Sequence, residues 1–163
     1  MQYEKFLLSK YYTTGKTMTN SSRKGLELFI PEEQSTVYVT ISDSPVHAGF
    51  PSPADDHLEN KLDLNKALVK NPSTTFFARV KGESMIGEGV EDGDILVIDK
   101  SLDPYDNCLA VCFLEGEFTL KRVQIEGNNI LLIPSNPKFK IIRVNKDNDF
   151  YIWGIVVFLI KKV

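Results

Sequence analysis

A serine in a turn-rich stretch is the first group in the sequence that could do chemistry. Residues 79–99 read RVKGESMIGEGVEDGDILVID, so Ser84 lies between two strand-like runs, among the Gly and Asp residues typical of turns. A serine hydroxyl is a poor nucleophile until a neighbouring group removes its proton. Ser84 is therefore either an ordinary turn residue or a nucleophile at the mouth of a β scaffold, depending on whether the chain supplies a base.

The base is not expected to be a histidine. Histidine is the usual partner of a catalytic serine, but both histidines, His47 and His57, precede the β-rich part of the chain. Lysine is the other choice, provided that it is neutral. Near pH 7 this requires a pKa about three units below the reference value of about 10.4, which burial among apolar groups can supply.

Lys121 has the sequence context that fits this requirement. It lies inside EFTLKRVQI, where strand alternation puts it on one face with Thr119 and Val123. Arg122 points to the other face and cannot act as a base, because a guanidinium keeps its proton in proteins. Spacing alone nevertheless favours an exposed lysine on an edge strand.

The two cysteines, Cys108 and Cys112, are predicted to be small buried hydrophobes. They lie four residues apart in CLAVCFL and so share one face of a strand. A disulfide is disfavoured in a reducing compartment. A metal site would need His47 and His57, which lie far upstream. We therefore expect no metal and no cofactor.

The chain from Thr74 onward reads as a mainly β domain. Gly, Asn, Asp and Pro turns separate seven strand-like runs: TTFFARV, DILVID, CLAVCFL, EFTLKRVQI, NILLIP, KIIRV and FYIWGIVVFLI. This spacing predicts a compact domain of short, mostly antiparallel strands. Residues 55–71 carry a helical pattern, with Asp63 as the N-cap of LNKALVK. Residues 1–54 show no sustained period beyond a lone strand in TVYVTI, and are predicted to be an extended arm.

Composition narrows the class of protein. A chain of 163 residues fits one domain with an appended arm. Its net charge of −3 argues against a protein whose main function is electrostatic binding of nucleic acid. No secretory pattern opens the chain. The longest apolar run, YIWGIVVFLI, is about half of the roughly 20 residues that a membrane helix needs. We expect a cytoplasmic protein without a membrane partner.

Several motifs together resemble the LexA/UmuD family of self-cleaving serine peptidases, and UmuD-like members in particular. The segments AGFPSPADD, DLNKALVKNPS, GESM, DGDILVID, GEFTLKR and LLIPSNP occur in the family's order, over about residues 47–163. The resemblance implies a compact C-terminal peptidase fold with an extended N-terminal arm. It also implies that Ser84 is the nucleophile and Lys121 the general base. The box reads GESM where GDSM is common, a change that we expect to be tolerated.

The resemblance also implies a cut between Ala48 and Gly49. Residues 1–48 would be the arm removed by self-cleavage, and residues 49–163 the domain that remains as peptidase and polymerase accessory. Gly49 suits this role because a residue without a Cβ can enter a narrow cleft. The arm is longer than is usual in such proteins, so Met18 is an alternative start of translation. Cleavage within one chain or between two chains both remain open.

The implied cellular role is SOS mutagenesis. A RecA filament on single-stranded DNA would stimulate cleavage, and the trimmed form, a homodimer, would serve a UmuC-like error-prone translesion DNA polymerase. Residues 1–47 are too short and unpatterned for a helix-turn-helix, so no sequence-specific DNA binding is expected. The alternatives are a non-catalytic regulatory binding module of the same fold and a remnant of a LexA-type repressor. A third alternative, a relative of the signal peptidases, is less favoured because the sequence shows no membrane anchor.

Overall fold

The computed structural model describes residues 26–29, 38–42, 59–127, 129–145 and 147–163, with side chains from residue 62 onward. The chain divides into two compact units, Glu32–Lys70 and the remainder, Met1–Pro31 with Asn71–Val163. In chain order the elements are β1 (Leu26–Phe29), β2 (Tyr38–Ser42), β3 (Glu59–Asp63), α1 (Leu64–Leu68), β4 (Thr75–Val80), β5 (Ile95–Asp99), β6 (Cys108–Leu114), β7 (Glu117–Glu126), β8 (Asn129–Ile133), β9 (Ile142–Val144) and β10 (Phe150–Ile160). A single 3-10 turn, Ile86–Glu88, lies between β4 and β5.

The larger unit is built on one antiparallel sheet of eight strands in the order β1-β4-β5-β10-β6-β7-β8-β9. All seven strands predicted from Thr74 onward are present, which confirms the mainly β fold. A tight two-residue turn joins β6 to β7 and places Gly116 at φ 90°, a conformation that favours glycine. The strand with Lys121, β7, lies between β6 and β8.

Strand alternation gives the sheet two apolar faces. Along β6, Val111 and Phe113 belong to one buried cluster, whereas Cys108, Ala110 and Cys112 belong to the other. Both cysteines are fully buried free thiols, so the prediction of small buried hydrophobes is confirmed. Both faces of the sheet are covered at β6 and β7. A polar side chain on either strand is therefore largely removed from water.

The smaller unit contains the antiparallel strand pair β2–β3, and α1 directly follows β3. The predicted N-cap is confirmed, since the Asp63 carboxylate accepts hydrogen bonds from the N–H groups of Asn65 (3.0 Å) and Lys66 (3.3 Å). The helical interpretation of residues 55–71 is wrong for Glu59–Asp63, which forms β3. The strand expected in TVYVTI is not a lone one, because β2 pairs with β3.

The arm contributes one further element to the sheet. Its strand β1 pairs antiparallel with β4, from Leu26 opposite Val80 to Phe29 opposite Phe77. Nothing in the apolar pattern of residues 1–54 predicts this strand. A four-residue strand forms only where an existing edge offers hydrogen-bond partners, and the edge of β4 provides them. In the described part of the chain, no helix is long and apolar enough to cross a membrane.

Candidate active site

The loop that carries Ser84 is shaped by two glycines. Gly82 (φ 101°) turns the chain out of β4, and Gly89 (φ 74°) ends the 3-10 turn that follows Ser84. The Gly82 N–H donates to the Asp92 carboxylate at 2.6 Å, so the turn that leads into β5 holds the start of this loop. Met85 anchors the serine loop to the core, because its side chain is buried there, whereas the neighbouring Ser84 stays partly accessible.

Lys121 is a buried residue of an interior strand. Only 5% of its surface is exposed, and it lies opposite Ala110 on the neighbouring β6. The exposed, edge-strand position that spacing alone favours is therefore wrong. The predicted face is right, since Val123 on the same side of β7 is also fully buried. An interior lysine with so little exposure loses most of the hydration that stabilises its charge.

The structure brings Ser84 and Lys121 together. The Lys121 Nζ donates to the Ser84 Oγ at 2.9 Å, to the Thr119 Oγ1 at 2.8 Å and to the Leu120 carbonyl oxygen at 2.8 Å. A neutral amine keeps two N–H donors and gains a lone pair. Thr119 and Leu120 can take those two donors, which leaves the lone pair directed at the Ser84 hydroxyl.

The environment of Lys121 favours the neutral amine. Burial lowers the pKa of Lys121, and the nearby Cys112 opposes this effect. Burial also raises the pKa of the Cys112 thiol, so that group is neutral near pH 7 and offers no counter-charge. None of the ion pairs among the described residues includes Lys121. The lysine therefore has polar acceptors but, among the residues that the structure describes, no carboxylate paired with it to hold its proton.

The two residues open into an apolar cleft of about 460 Å³. Apolar walls reduce the hydration of the amine, which fits the burial that lowers the pKa of Lys121. Polar groups at the cleft include Lys81, Glu83 and Lys140. The apolar residues that line it come from three stretches of the larger unit: Val80, Met85, Phe118, Leu120, Phe139 and Ile142.

An ion pair ties the serine loop to the lysine strand. The Arg122 Nε donates to the Glu88 carboxylate at 3.0 Å, and a second donor, Nη2, reaches the other carboxylate oxygen. The Arg122 Nη1 also donates to the Asn107 carbonyl oxygen at 2.7 Å. Glu88 ends the 3-10 turn after Ser84, and Arg122 follows Lys121. The forked pair thus restrains the two elements that carry the serine and the lysine.

Two of these contacts are not predicted from the sequence. Thr119 was placed on the face of Lys121, and that alternation was the available signal for its contact with the amine. The Glu88–Arg122 pair had no local signal, because its partners are far apart in the sequence. Ala48 and Gly49, the predicted cleavage site, lie outside the described residues. Within the part that is described, no cluster of three or more His, Cys, Asp or Glu side chains could hold a metal ion.

Comparison with known proteins identifies the class. Residues 40–157 match the family described as Peptidase S24-like. The chain is 38% identical to Protein SamA of Salmonella typhimurium LT2 over 140 residues, which is 84% of this chain and 96% of that protein. It is 38% identical to Protein MucA of Escherichia coli over 112 residues, 68% of this chain and 76% of MucA. Protein ImpA of Shigella flexneri is 37% identical over 116 residues, 71% of this chain and 78% of ImpA.

The fold is thus a serine peptidase fold of a kind that has self-cleaving members. The chain belongs to the Peptidase S24-like family, and the resemblance to the LexA/UmuD peptidases is confirmed.

Proposed function

We propose that this protein is a Ser-Lys autopeptidase of SOS mutagenesis, which removes its own arm by cutting between Ala48 and Gly49. The observation that carries the proposal is the 2.9 Å contact between the Ser84 hydroxyl and a lysine amine that is only 5% exposed. Membership in the Peptidase S24-like family supports the reaction type. The small side chains on both sides of the bond support the position of the cut.

The first half of the reaction forms an ester. Neutral Lys121 accepts the Ser84 proton as the Ser84 Oγ attacks the Ala48 carbonyl carbon, and the electron pair of the C=O bond moves onto its oxygen. When this pair returns, the C–N bond breaks. The proton held by Lys121 passes to the nitrogen of Gly49, which leaves as an amine.

The second half releases the arm. Lys121 takes a proton from a water molecule as the water oxygen attacks the ester carbonyl. Collapse of this second intermediate returns the proton to the Ser84 Oγ and frees Ala48 as a carboxylic acid, which ionises. Thr119 and the Leu120 carbonyl hold the amine throughout, so that the same lone pair serves both steps.

The partners follow from the resemblance. A RecA filament on single-stranded DNA would favour the state in which the arm is docked, a population shift rather than a supply of catalytic groups. The trimmed chain, as a homodimer, would act as the accessory subunit of a UmuC-like error-prone polymerase. Similarity to SamA, MucA and ImpA along most of their length supports this assignment.

The testing experiment is self-cleavage as a function of pH without RecA. If Lys121 is the base, the rate depends on its neutral fraction and rises about tenfold per pH unit while most of the amine is still protonated. A histidine base would instead reach a plateau above about pH 7. Incubation between pH 7 and pH 10.5, followed by mass spectrometry and N-terminal sequencing, should reveal a fragment beginning at Gly49.

Variants separate this proposal from its alternatives. Neither Ser84→Ala nor Lys121→Arg should cleave itself. The first lacks the nucleophile, and in the second arginine keeps the charge but cannot accept a proton. Lys162→Arg, at an exposed position that does not line the cleft, is the matched control and should cleave like the wild type. Cleavage that survives in Lys121→Arg would refute the mechanism. An intact wild type at every pH, alone and with RecA, would favour the non-catalytic binding module.

A further inference from the structure

A turn between β8 and β9 forms hydrogen bonds with the backbone of the serine loop. It belongs to the motif LLIPSNP, and we refer to residues 134–136 as the 134–136 turn. The Ser135 N–H donates to the Ser84 carbonyl oxygen at 3.0 Å. The Asn136 Nδ2 donates to the Glu83 carbonyl oxygen at 2.9 Å. Two consecutive carbonyls of the serine loop are thus held by one short turn.

Asn136 is built into this contact. Only 5% of it is exposed, and its Oδ1 accepts a hydrogen bond from the Lys138 N–H at 3.0 Å, which fixes the orientation of the amide. The other donor to the Glu83 carbonyl, the Ile86 N–H, lies 3.4 Å away and is a weak partner. The Asn136 amide is therefore the main restraint on the peptide unit between Glu83 and Ser84.

The turn and the loop also approach each other too closely for side chains. A Cβ added at Gly87 would lie 2.2 Å from the Ser135 carbonyl oxygen, so only glycine fits there. At the exposed side of this contact, the Lys138 Nζ forms an ion pair with the Glu83 carboxylate at 3.2 Å. Backbone packs against backbone, which leaves the loop little freedom to shift.

Holding the carbonyls also directs the N–H groups. No peptide bond among the described residues is cis, and in a trans peptide the C=O and the following N–H point in opposite directions. The N–H groups of Ser84 and Met85 therefore point away from the 134–136 turn. Neither has an acceptor within the described part of the chain. Free, fixed N–H donors beside a nucleophile are what an oxyanion requires.

We propose that Asn136 is a positioning residue for self-cleavage, which orients the Ser84 N–H toward the developing oxyanion by holding the Glu83 carbonyl. The inference rests on the proposed function. Asn136 donates to neither the Ser84 hydroxyl nor the Lys121 amine, whose contacts are with one another, Thr119 and Leu120. Its loss should leave the base intact and weaken stabilisation of the oxyanion alone.

The experiment measures the pH–rate profile of self-cleavage in the full chain. Asn136→Ala removes the donor without adding charge, and Asn136→Asp removes it while keeping the acceptor for Lys138. Direct loss of one oxyanion donor lowers kcat by about 10²–10³-fold. Because the donor here is misdirected rather than deleted, we expect the limiting rate to fall at least tenfold. The pH at which the Asn136→Ala profile bends should match that of the wild type.

Asn148 provides the control, because its side chain also donates one hydrogen bond and accepts another, and it does not line the cleft. Its Nδ2 donates to Glu115 at 2.8 Å and its Oδ1 accepts from the Asn145 N–H at 2.9 Å. Asn148→Ala and Asn148→Asp should cleave within about twofold of the wild type. Circular dichroism of every variant, recorded at the same pH values, reports whether each one is folded.

The outcomes are distinct. A folded Asn136→Ala with a reduced limiting rate and an unchanged bend supports the inference. Cleavage within twofold of the wild type overturns it. A bend that moves in Asn136→Ala, or loss of the folded spectrum in both Asn136 variants, assigns the residue to stability and also overturns it. A wild type that never cleaves overturns the proposed function, and the inference falls with it.

Discussion

Arg122 grips the carboxylate of Glu88 with a forked pair of hydrogen bonds, and so joins the turn after Ser84 to the strand that carries Lys121. Both side chains are about three-quarters buried, with 28% and 26% exposed, so the pair is less screened than a surface ion pair. Geometry at the site thus depends on a contact that touches neither reacting group.

Arg122→Lys should slow self-cleavage by about three- to tenfold and lower the free energy of unfolding by about 1 kcal/mol. Lysine keeps the charge but loses the fork that fixes the two elements. Rates come from gel densitometry at pH 10 and stability from urea unfolding. Arg143→Lys is the control, because Arg143 faces Glu126 at 3.9 Å on an exposed surface. Equal losses in both variants would contradict a specific role for the fork.

Gly87→Ala should damage the site more than it damages the fold. The added Cβ would meet the Ser135 carbonyl oxygen at 2.2 Å, and backbone on both sides cannot yield without moving the serine loop. We expect cleavage to slow at least tenfold and stability to fall by about 1–3 kcal/mol, as for other overpacked sites. The measurements are a cleavage time course and urea unfolding.

Gly116→Ala is the control for backbone strain. Gly116 lies in the β6–β7 turn at φ 90° with open space around it, so alanine is strained there by about 1–2 kcal/mol without meeting any neighbour. Its cleavage rate should match the wild type despite the lower stability. If Gly87→Ala also cleaves at the wild-type rate, the close contact with Ser135 does not position Ser84.

The sequence predicted the strands well because their signal is local. Alternating apolar residues and Gly, Asn and Asp turns mark β4 to β10, and Asp63 marks the start of α1. The failures concern long-range pairing. Glu59–Asp63 carries little apolar alternation and becomes a strand only through β2, and Leu26–Phe29 becomes one only through β4. Such pairings depend on edges that exist only in the folded sheet.

The features of the candidate site also divide into those that a local pattern predicts and those that depend on long-range contacts. Alternation predicted the face of Lys121, whereas its burial depended on β7 lying between β6 and β8, which spacing does not reveal. The resemblance, not the periodicity, pointed to Ser84 and Lys121 together. The supports around them, Arg122 with Glu88 and Asn136 with Glu83, join residues more than 30 positions apart. No local pattern encodes such contacts.

The C-terminal half of β10 should form the contact between two copies of the chain. The strand is not an edge strand along its whole length: it pairs with β6 up to Ile155 and with β5 from Ile155 onward. In the described structure, residues 156–160 therefore have one free side. Four apolar side chains there stay 37–40% exposed: Val157, Phe158, Leu159 and Ile160. A second copy can cover them and pair with the open edge.

Phe158→Glu should weaken the homodimer at least tenfold, because it places a charge in the contact. Sedimentation equilibrium at several concentrations measures the change. Ile141→Glu is the control, since Ile141 is 59% exposed and lies outside β10. A wild type that sediments as a monomer at every concentration would exclude this assembly.

Burial of the Lys121 amine should have a stability cost that depends on pH. Burial lowers the pKa of Lys121 in the folded chain, whereas the unfolded chain has the reference value of about 10.4. Between these two values the unfolded state binds more protons, so the stability of the wild type rises as pH increases through that window. Below the folded-state pKa the full cost of the buried charge is present, about 1.4 kcal/mol for each pH unit between the two values.

Lys121→Met removes this cost, so it should raise the free energy of unfolding at pH 7, and the advantage should shrink as pH approaches 10. Lost hydrogen bonds to Thr119 and Leu120 offset the gain by a similar amount at every pH, which leaves the slope as the informative quantity. Urea unfolding at pH 7, 8.5 and 10, in a Ser84→Ala background that prevents cleavage, measures it. Lys162→Met, at an exposed position, is the control. Parallel stability curves for Lys121→Met and its reference would show that the buried amine carries no such cost.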